Sequence, residues 1–246
     1  MIGVKDYLIF RLYGPMASWG DVAVGEYRPT FDRPSKSAVI GLLGAALGIY
    51  RDEEEKQKEL AQAYNFAVQI NVPGVLLRDY HTSQVPPSGS GKNKKDFATR
   101  KDELEAEKKE TILSTRDYYC DALYTVCIWG KTERVPYSLE ILVQKLIEPE
   151  FVLYLGRKSC PIAIPTQAKI VEAENLNEVF SKVKFEDRNL LLRELPESKE
   201  TRLYWEGDDN SLLAKHTVTR RDDPLSRRRW QFSNRKENYM LKIQED

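Results

Sequence analysis

Two short strings carry the side chains best suited to chemistry: Arg78-Asp79-Tyr80-His81-Thr82 and Tyr154-Leu155-Gly156-Arg157-Lys158-Ser159-Cys160-Pro161. The first puts a guanidinium, a phenol and an imidazole together at the end of a β-rich run. Imidazole titrates near neutrality, so Tyr80 and His81 read either as an acid–base pair for metal-free RNA cleavage or as binding residues. In the second string Gly156 permits close backbone approach, Arg157 and Lys158 neutralise phosphate, and Ser159 offers a hydroxyl donor. A plain turn would use the same residues. The segment Gly156–Ser159 contains neither the thiol nor the carboxylate of a nucleotide-hydrolysis loop.

Three further places invite the same question. At Pro34-Ser35-Lys36-Ser37 a helix begins, and its free N–H groups with Lys36 and the Ser35 and Ser37 hydroxyls form a ready anion site, although ordinary capping is the plainer reading of the same residues. Arg28 lies just upstream and can join that pocket. Trp19, in a glycine-flanked loop, is either core packing or a platform for a base, worth about 1–3 kcal/mol per stacked base. The stretch Lys215–Lys236 holds eight Lys/Arg against Asp222 and Asp223, with Trp230 and Phe232 interleaved. It reads as a nucleic-acid or protein docking edge, or as a solvated basic face.

The elements that must position these residues follow from patterning. With 246 residues the chain can bury a sizeable core in one large domain or two small ones. Its 38 basic residues balance 38 acidic ones, so any RNA site must arise from local clustering rather than bulk charge. Three cysteines without a C-x-x-C pair, and two histidines without zinc-finger spacing, predict reduced thiols in a cytoplasmic protein with no metal or cofactor. The N-terminal residues break any apolar run too early for a signal peptide. The longest apolar run, Ala38–Tyr50, is too short to cross a bilayer, so no membrane partner is expected.

Along the chain, Tyr7–Tyr13 predicts a strand, residues 34–49 a helix, Phe66–Val72 and Gly74–Tyr80 two strands, and Tyr118–Trp129 one long strand. Ser138 caps a second predicted helix through Leu146, and Phe151–Leu155 predicts the last strand. The resulting order β-α-β-β-α-β is the ferredoxin-like or RRM arrangement of an α+β fold. Residues 82–116 carry Pro86, Pro87, a Ser/Gly run and dense charge, which predicts a protruding inserted arm. From 161 to 246 shorter β-like runs, with one short helix near Leu176–Val183, predict a small, mainly β C-terminal domain beside an RRM-like domain spanning 1–160.

Six strings in one order resemble the type I-E CRISPR-associated CasD family, the Cas-five subunit of the Cascade surveillance complex. They are Gly14-Pro15-Met16-Ala17-Ser18-Trp19-Gly20, Arg28-Pro29-Thr30, Gly41–Ala45, Arg78–Thr82, Thr115–Ala122 and Tyr154–Pro161. The resemblance implies an RRM domain with a β-hairpin thumb, here Thr82–Arg116, that folds over RNA. It implies a non-catalytic subunit that holds the repeat-derived 5′ handle of the CRISPR RNA, abuts the backbone and large subunits, and meets target DNA only through the complex. Carried over, Arg28, Lys36, Arg157 and Lys158 would grip phosphate, Trp19, Tyr80 and Tyr154 would stack on or wall in bases, and His81 and Arg116 would flank the thumb base. A sibling subfamily resembles a metal-independent ribonuclease that processes the precursor RNA, an alternative that would recruit Tyr80, His81 and a lysine.

Overall fold

The computed structural model describes residues 3–86, 97–105, 109–187, 191, 193–195, 200–209 and 211–243. Strand β1 (Lys5–Tyr13) alternates between two buried faces: Leu8, Phe10 and Leu12 point one way, Tyr7, Ile9 and Arg11 the other. Each fully buried apolar side chain there contributes about 1.5–3 kcal/mol. The even-numbered face meets α1 (Lys36–Ala46), α2 (Glu54–Ala63) and α4 (Leu139–Ile147) through Ile40, Leu43, Leu60, Leu142 and Leu146. The odd-numbered face is covered by α5 (Leu176–Lys182) through Leu176 and Val179.

Around β1 run β4 (Tyr64–Val72), β7 (Leu123–Gly130), β8 (Lys169–Ala173), β9 (Glu200–Trp205), β10 (His216–Ser226) and β11 (Gln231–Ile243), in the sheet order β10-β11-β9-β4-β7-β1-β8. All the ladders of this sheet are antiparallel. Strands after residue 161 thus occupy both edges of the sheet that strands before it build at the centre. Pro224 sits in β10, the edge strand, at a register shift, where its missing N–H costs no ladder bond.

A second sheet stands beside the first. Here β5 (Val75–Val85) and β6 (Glu110–Cys120) pair antiparallel from Val75↔Cys120 to Val85↔Glu110. The short strands β2 (Met16–Ala17) and β3 (Tyr27–Arg28) line the other edge of β6. A one-turn-plus helix, α3 (Arg100–Leu104), opens on a Thr99/Asp102 capping box. The β3–β6 ladder is parallel and the other ladders of this sheet are antiparallel, so the molecule is a mixed α+β fold with mainly antiparallel sheets. The expected Ser/Gly run at 88–91 and the Lys92–Lys95 cluster lie outside the described residues.

Two expectations need correction, and one helix was not anticipated. The predicted long strand Tyr118–Trp129 is two strands in different sheets, broken at Asp121, whose φ of 56° turns the chain. Segment Phe151–Leu155 alternates in burial like a strand, yet its only ladder contact is the bridge Tyr154↔Pro161. Its backbone is satisfied elsewhere: the Phe151 N–H donates to Ala45, the Leu155 N–H to Cys160, and the Leu155 carbonyl accepts from Ser18. The strand that follows α4 in the main sheet is β8 instead. Helix α2 gave no signal, because only Gln57, Leu60 and Ala61 of its ten residues are buried.

A buried ionic network pins the β10–β11 hairpin to the start of α1. Arg235 donates to Asp222 at 2.7 and 2.9 Å and to Glu237 at 2.6 Å, Arg33 pairs with Glu237, and Arg220 approaches Glu237 at 3.3 Å. Burial alone would raise the Asp222 and Glu237 carboxyls, but the surrounding arginines hold both below their ordinary values.

Candidate nucleic-acid interface

Pairing in register decides which arm residues share a face. Arg28 lies opposite Arg116 on β6, and Arg116 lies opposite Asp79 on β5. Since strand side chains alternate, Arg28, Arg116, Ser114, Asp79 and His81 occupy one face, while Tyr27, Thr115, Asp117, Arg78 and Tyr80 occupy the other. Tyr80 and His81 therefore point to opposite sides of β5. The acid–base pairing that their adjacency suggested is not assembled.

The second face is knotted shut at the arm's base. Arg78 donates to both oxygens of Asp117, at 2.9 and 3.2 Å, and to the Tyr27 hydroxyl at 2.8 Å. Tyr27 in turn donates to Asp117. Asp117 is buried, and the hydrogen bonds from Arg78 are the main reason its carboxyl stays below its ordinary value. Arg78, expected among the RNA contacts, thus orders the arm. Tyr80 remains 63% exposed.

The first face is different. Arg28 donates to the carbonyls of Gly25 and Tyr27, Arg116 to the Ser114 hydroxyl at 3.3 Å, and Arg157 to the Arg28 carbonyl at 3.2 Å. Among the described residues none of these three guanidiniums forms an ion pair. The carboxylate opposite Arg116 is engaged elsewhere, with the Asp79 oxygen 2.8 Å from His81 Nε2. Arg157 also stacks 5.0 Å from the Tyr118 ring centroid and keeps a buried Nη1 without a partner. Lys158 and Ser159 follow it, both exposed.

Gly156 explains how Arg157 reaches this face. Its φ is +85°, and a Cβ there would sit 1.9 Å from the Ser18 carbonyl oxygen and 3.2 Å from Trp19 Cα. Only glycine lets the 154–160 turn lie against the 17–19 backbone. The Ser18 N–H donates to the Leu155 carbonyl at 3.0 Å, and the Ser18 hydroxyl to the Asp117 carbonyl at 2.9 Å, tying turn, loop and arm together.

Two expected contacts are corrected. Trp19 is no exposed platform: it is 6% exposed and packs edge-on to Tyr124 at 5.4 Å. Lys36 is 1% exposed, its ammonium 3.0 Å from both Glu206 and Asp223. The anion that the helix start attracts is supplied by the chain itself, since the Lys36 N–H donates to Asp222 at 2.9 Å. Ser35 caps the helix by accepting from the Ala38 N–H, and its hydroxyl meets that of Ser37 at 2.9 Å. The basic C-terminal stretch divides likewise. Arg220 and Arg235 are buried in the ionic network, while Arg221, Arg228 and Arg229 are exposed.

Trp19, Ser37, Tyr154 and Gly156 come together instead along a cavity of about 300 Å3 between α1, the 151–156 segment and the β10–β11 tip. Arg51, Arg227, Trp230 and Phe232 also line it. Sequence reading missed Arg51, which sits in an unpatterned charged run, and Asp117, Tyr27 and Tyr118, whose roles depend on register. Among the described residues no cluster of His, Cys, Asp and Glu could hold a metal ion, and no helix is long and apolar enough to cross a membrane.

The chain is thus an α+β protein with two sheets, antiparallel except at β3–β6, and one face of the second sheet carries arginines that make no ion pair among the described residues. Residues 7–236 match the family described as CRISPR-associated protein (Cas_Cas5), and the chain belongs to that family. It is 36% identical over 172 residues to the CRISPR system Cascade subunit CasD of Escherichia coli (strain K12), covering 66% of this chain and 70% of that protein. Its backbone resembles a chain of a CRISPR RNA-guided surveillance complex, with a TM-score of 0.61 at 23% identity over 96% of this chain and 90% of the other. It also resembles the crystal structure of a Cas protein, with a TM-score of 0.56 at 24% identity over 96% and 94%. These two likenesses speak for the fold alone.

Proposed function

We propose that this chain is a non-catalytic RNA-binding subunit of a type I-E Cascade complex in the cytoplasm. It holds the unpaired 5′ handle of the CRISPR RNA and bridges the backbone and large subunits, meeting target DNA through the assembly. The observation that carries this reading is the juxtaposition of Arg28 and Arg116 directly across the β3–β6 ladder, with Arg157 bonded to the Arg28 backbone. Like charges opposite one another destabilise a sheet unless an anion lies over them. A phosphate backbone supplies that anion, with Lys158 as a further contact and Tyr80 and Tyr154 as surfaces for splayed bases. In this reading β1, α1, β4, β7, α4 and β8 make the RRM-like frame, supported by the strand order β4-β7-β1-β8. The β5–β6 ladder is the base of the thumb. The relative named as a Cascade subunit supports the assembly.

The test is binding of a fluorescent repeat-derived 5′ handle RNA to the full chain across a salt series. Reversing Arg116 and Lys158 to glutamate should weaken binding and lower the salt slope by about 1.4, about 0.7 per single-strand phosphate contact. Unchanged affinity and slope would remove RNA from this face. Incubation with repeat RNA in EDTA checks the non-catalytic part, which fails if a cut appears that His81→Ala abolishes.

A further inference from the structure

The cavity under the β10–β11 tip has an unusual lining. It includes two arginines, Arg51 and Arg227, and the aromatic rings of Tyr154, Trp230 and Phe232, but no carboxylate, in a chain holding as many acids as bases. Arg227 lies across α1 with one Nη donating to the Ser37 carbonyl, and its Nε is buried without a partner. It fits there because residue 41 is glycine: a Cβ at Gly41 would come within 2.6 Å of the guanidinium. Burial first, and then the charge of Arg51, pulls the Arg227 pKa down to about 10. Gln57, 8% exposed and also lining the cavity, leaves its Oε1 unpartnered. Trp230 stands at the tip with φ 56°, 57% exposed, with the Arg51 guanidinium 4.6 Å from its ring centroid.

Two neighbouring cations without a counterion among the described residues call for an anion, an exposed indole beside them suits a planar ring, and about 300 Å3 lies at the lower end of volumes that hold small organic ligands. We propose that this cavity holds one nucleotide of the bound RNA strand, its phosphate between Arg51 and Arg227 and its base against Trp230. The inference rests on the RNA-binding reading above and extends it to the C-terminal hairpin, which thereby becomes a wall of the RNA path. Tyr154 and Gly156 belong both to the cavity lining and to the turn that carries Arg157, so a strand leaving the arm face reaches the cavity along that turn.

The experiment is photo-crosslinking of the full chain to repeat-derived 5′ handle RNA carrying 4-thiouridine at one position at a time, followed by peptide mapping. One position should mark the segments at 151–154 or 230–232, and Trp230→Ala should abolish that crosslink while those to the β5–β6 arm persist. Trp230→Ala should also weaken handle binding about tenfold, the scale of one stacked base. Gly41→Ala, which displaces the guanidinium while suiting the helix, should lower the same crosslink and keep the chain folded. Crosslinks on the arm with none in the cavity at any position would overturn this inference and leave the RNA-binding reading intact. Absence of handle binding altogether would sink both. If adenosine monophosphate alone quenched Trp230 and left RNA crosslinks unchanged, the cavity would be a free-nucleotide site and the inference would fall.

Discussion

Replacing Gly156 with alanine isolates the contact that aims Arg157. Two costs add. A left-handed φ of +85° at a residue with a Cβ costs about 1–2 kcal/mol. The methyl group also cannot stand 1.9 Å from the Ser18 carbonyl oxygen, so the turn must lift off, breaking the 3.0 Å bond from the Ser18 N–H to the Leu155 carbonyl, worth about 1 kcal/mol. The sum is about 2–3 kcal/mol, or about 5–10 °C in Tm for a chain of this length. Gly20→Ala is the matched control: its φ is +73°, but nothing lies within 4 Å of its Cβ, so only the backbone cost applies. Thermal melts followed by circular dichroism should rank wild type above Gly20→Ala above Gly156→Ala. Handle RNA binding should fall only for Gly156→Ala, whose Arg157 has lost its seat. Equal melting temperatures for the two variants would refute the argument that close approach, rather than backbone conformation alone, selects glycine at 156.

Lys36→Met should cost about 3 kcal/mol, because Glu206 and Asp223 lose their buried cation; the folded fraction should bind handle RNA with wild-type affinity, which a filter-binding assay checks. Arg78→Met should raise hydrogen exchange at the base of the β5–β6 ladder by freeing buried Asp117, yet leave the salt slope of RNA binding unchanged. Acid should unfold the chain in a specific window. The carboxyls of Asp222 and Glu237 have folded pKa values below their unfolded ones, so their stabilisation is full above about pH 4–5 and is lost as pH falls through the lowered values. Tm against pH should be flat near neutrality and drop below about pH 4, with a smaller drop in an Arg235→Met variant, where Asp222 has lost its strongest partner.

Local chemistry made much of this molecule legible. The alternation in Tyr7–Tyr13 became β1, Ser35 and Ser138 cap α1 and α4, and the glycine at 156 makes the close approach its type allows. What the chain concealed depends on partners distant in sequence. Nothing near Lys36 reveals that Glu206 and Asp223 will bury it, and adjacency in sequence put Tyr80 and His81 together where a strand sets them apart. The 118–129 run reads as one strand because the break at Asp121 is a single positive φ in a residue type that tolerates it. The segment 151–155 shows the converse: its burial alternates, but its hydrogen bonds go to α1, to its own turn and to Ser18, which periodicity does not register.

The neutral charge sum, which leaves any RNA site to local clustering, is explained by where the charges sit. Asp222, Glu206 and Glu237 are buried against Arg33, Lys36, Arg220 and Arg235, so much of the acidic content of this region neutralises cations inside the fold and projects little field outward. Asp117 is likewise consumed by Arg78, and Asp79 faces His81. Arg28, Arg116 and Arg157 are thereby left on one side of the arm with no carboxylate partner among the described residues, and Arg51 and Arg227 in a cavity with no acid in its lining. A chain of zero net charge thus presents two local sites of positive potential, and the turn at Gly156 joins them. Reversing any one of the buried carboxylates would release a cation inside the protein and cost stability, whereas reversing Arg116 or Lys158 would cost only binding. That division makes the two kinds of charge separable by experiment, although composition weights them equally.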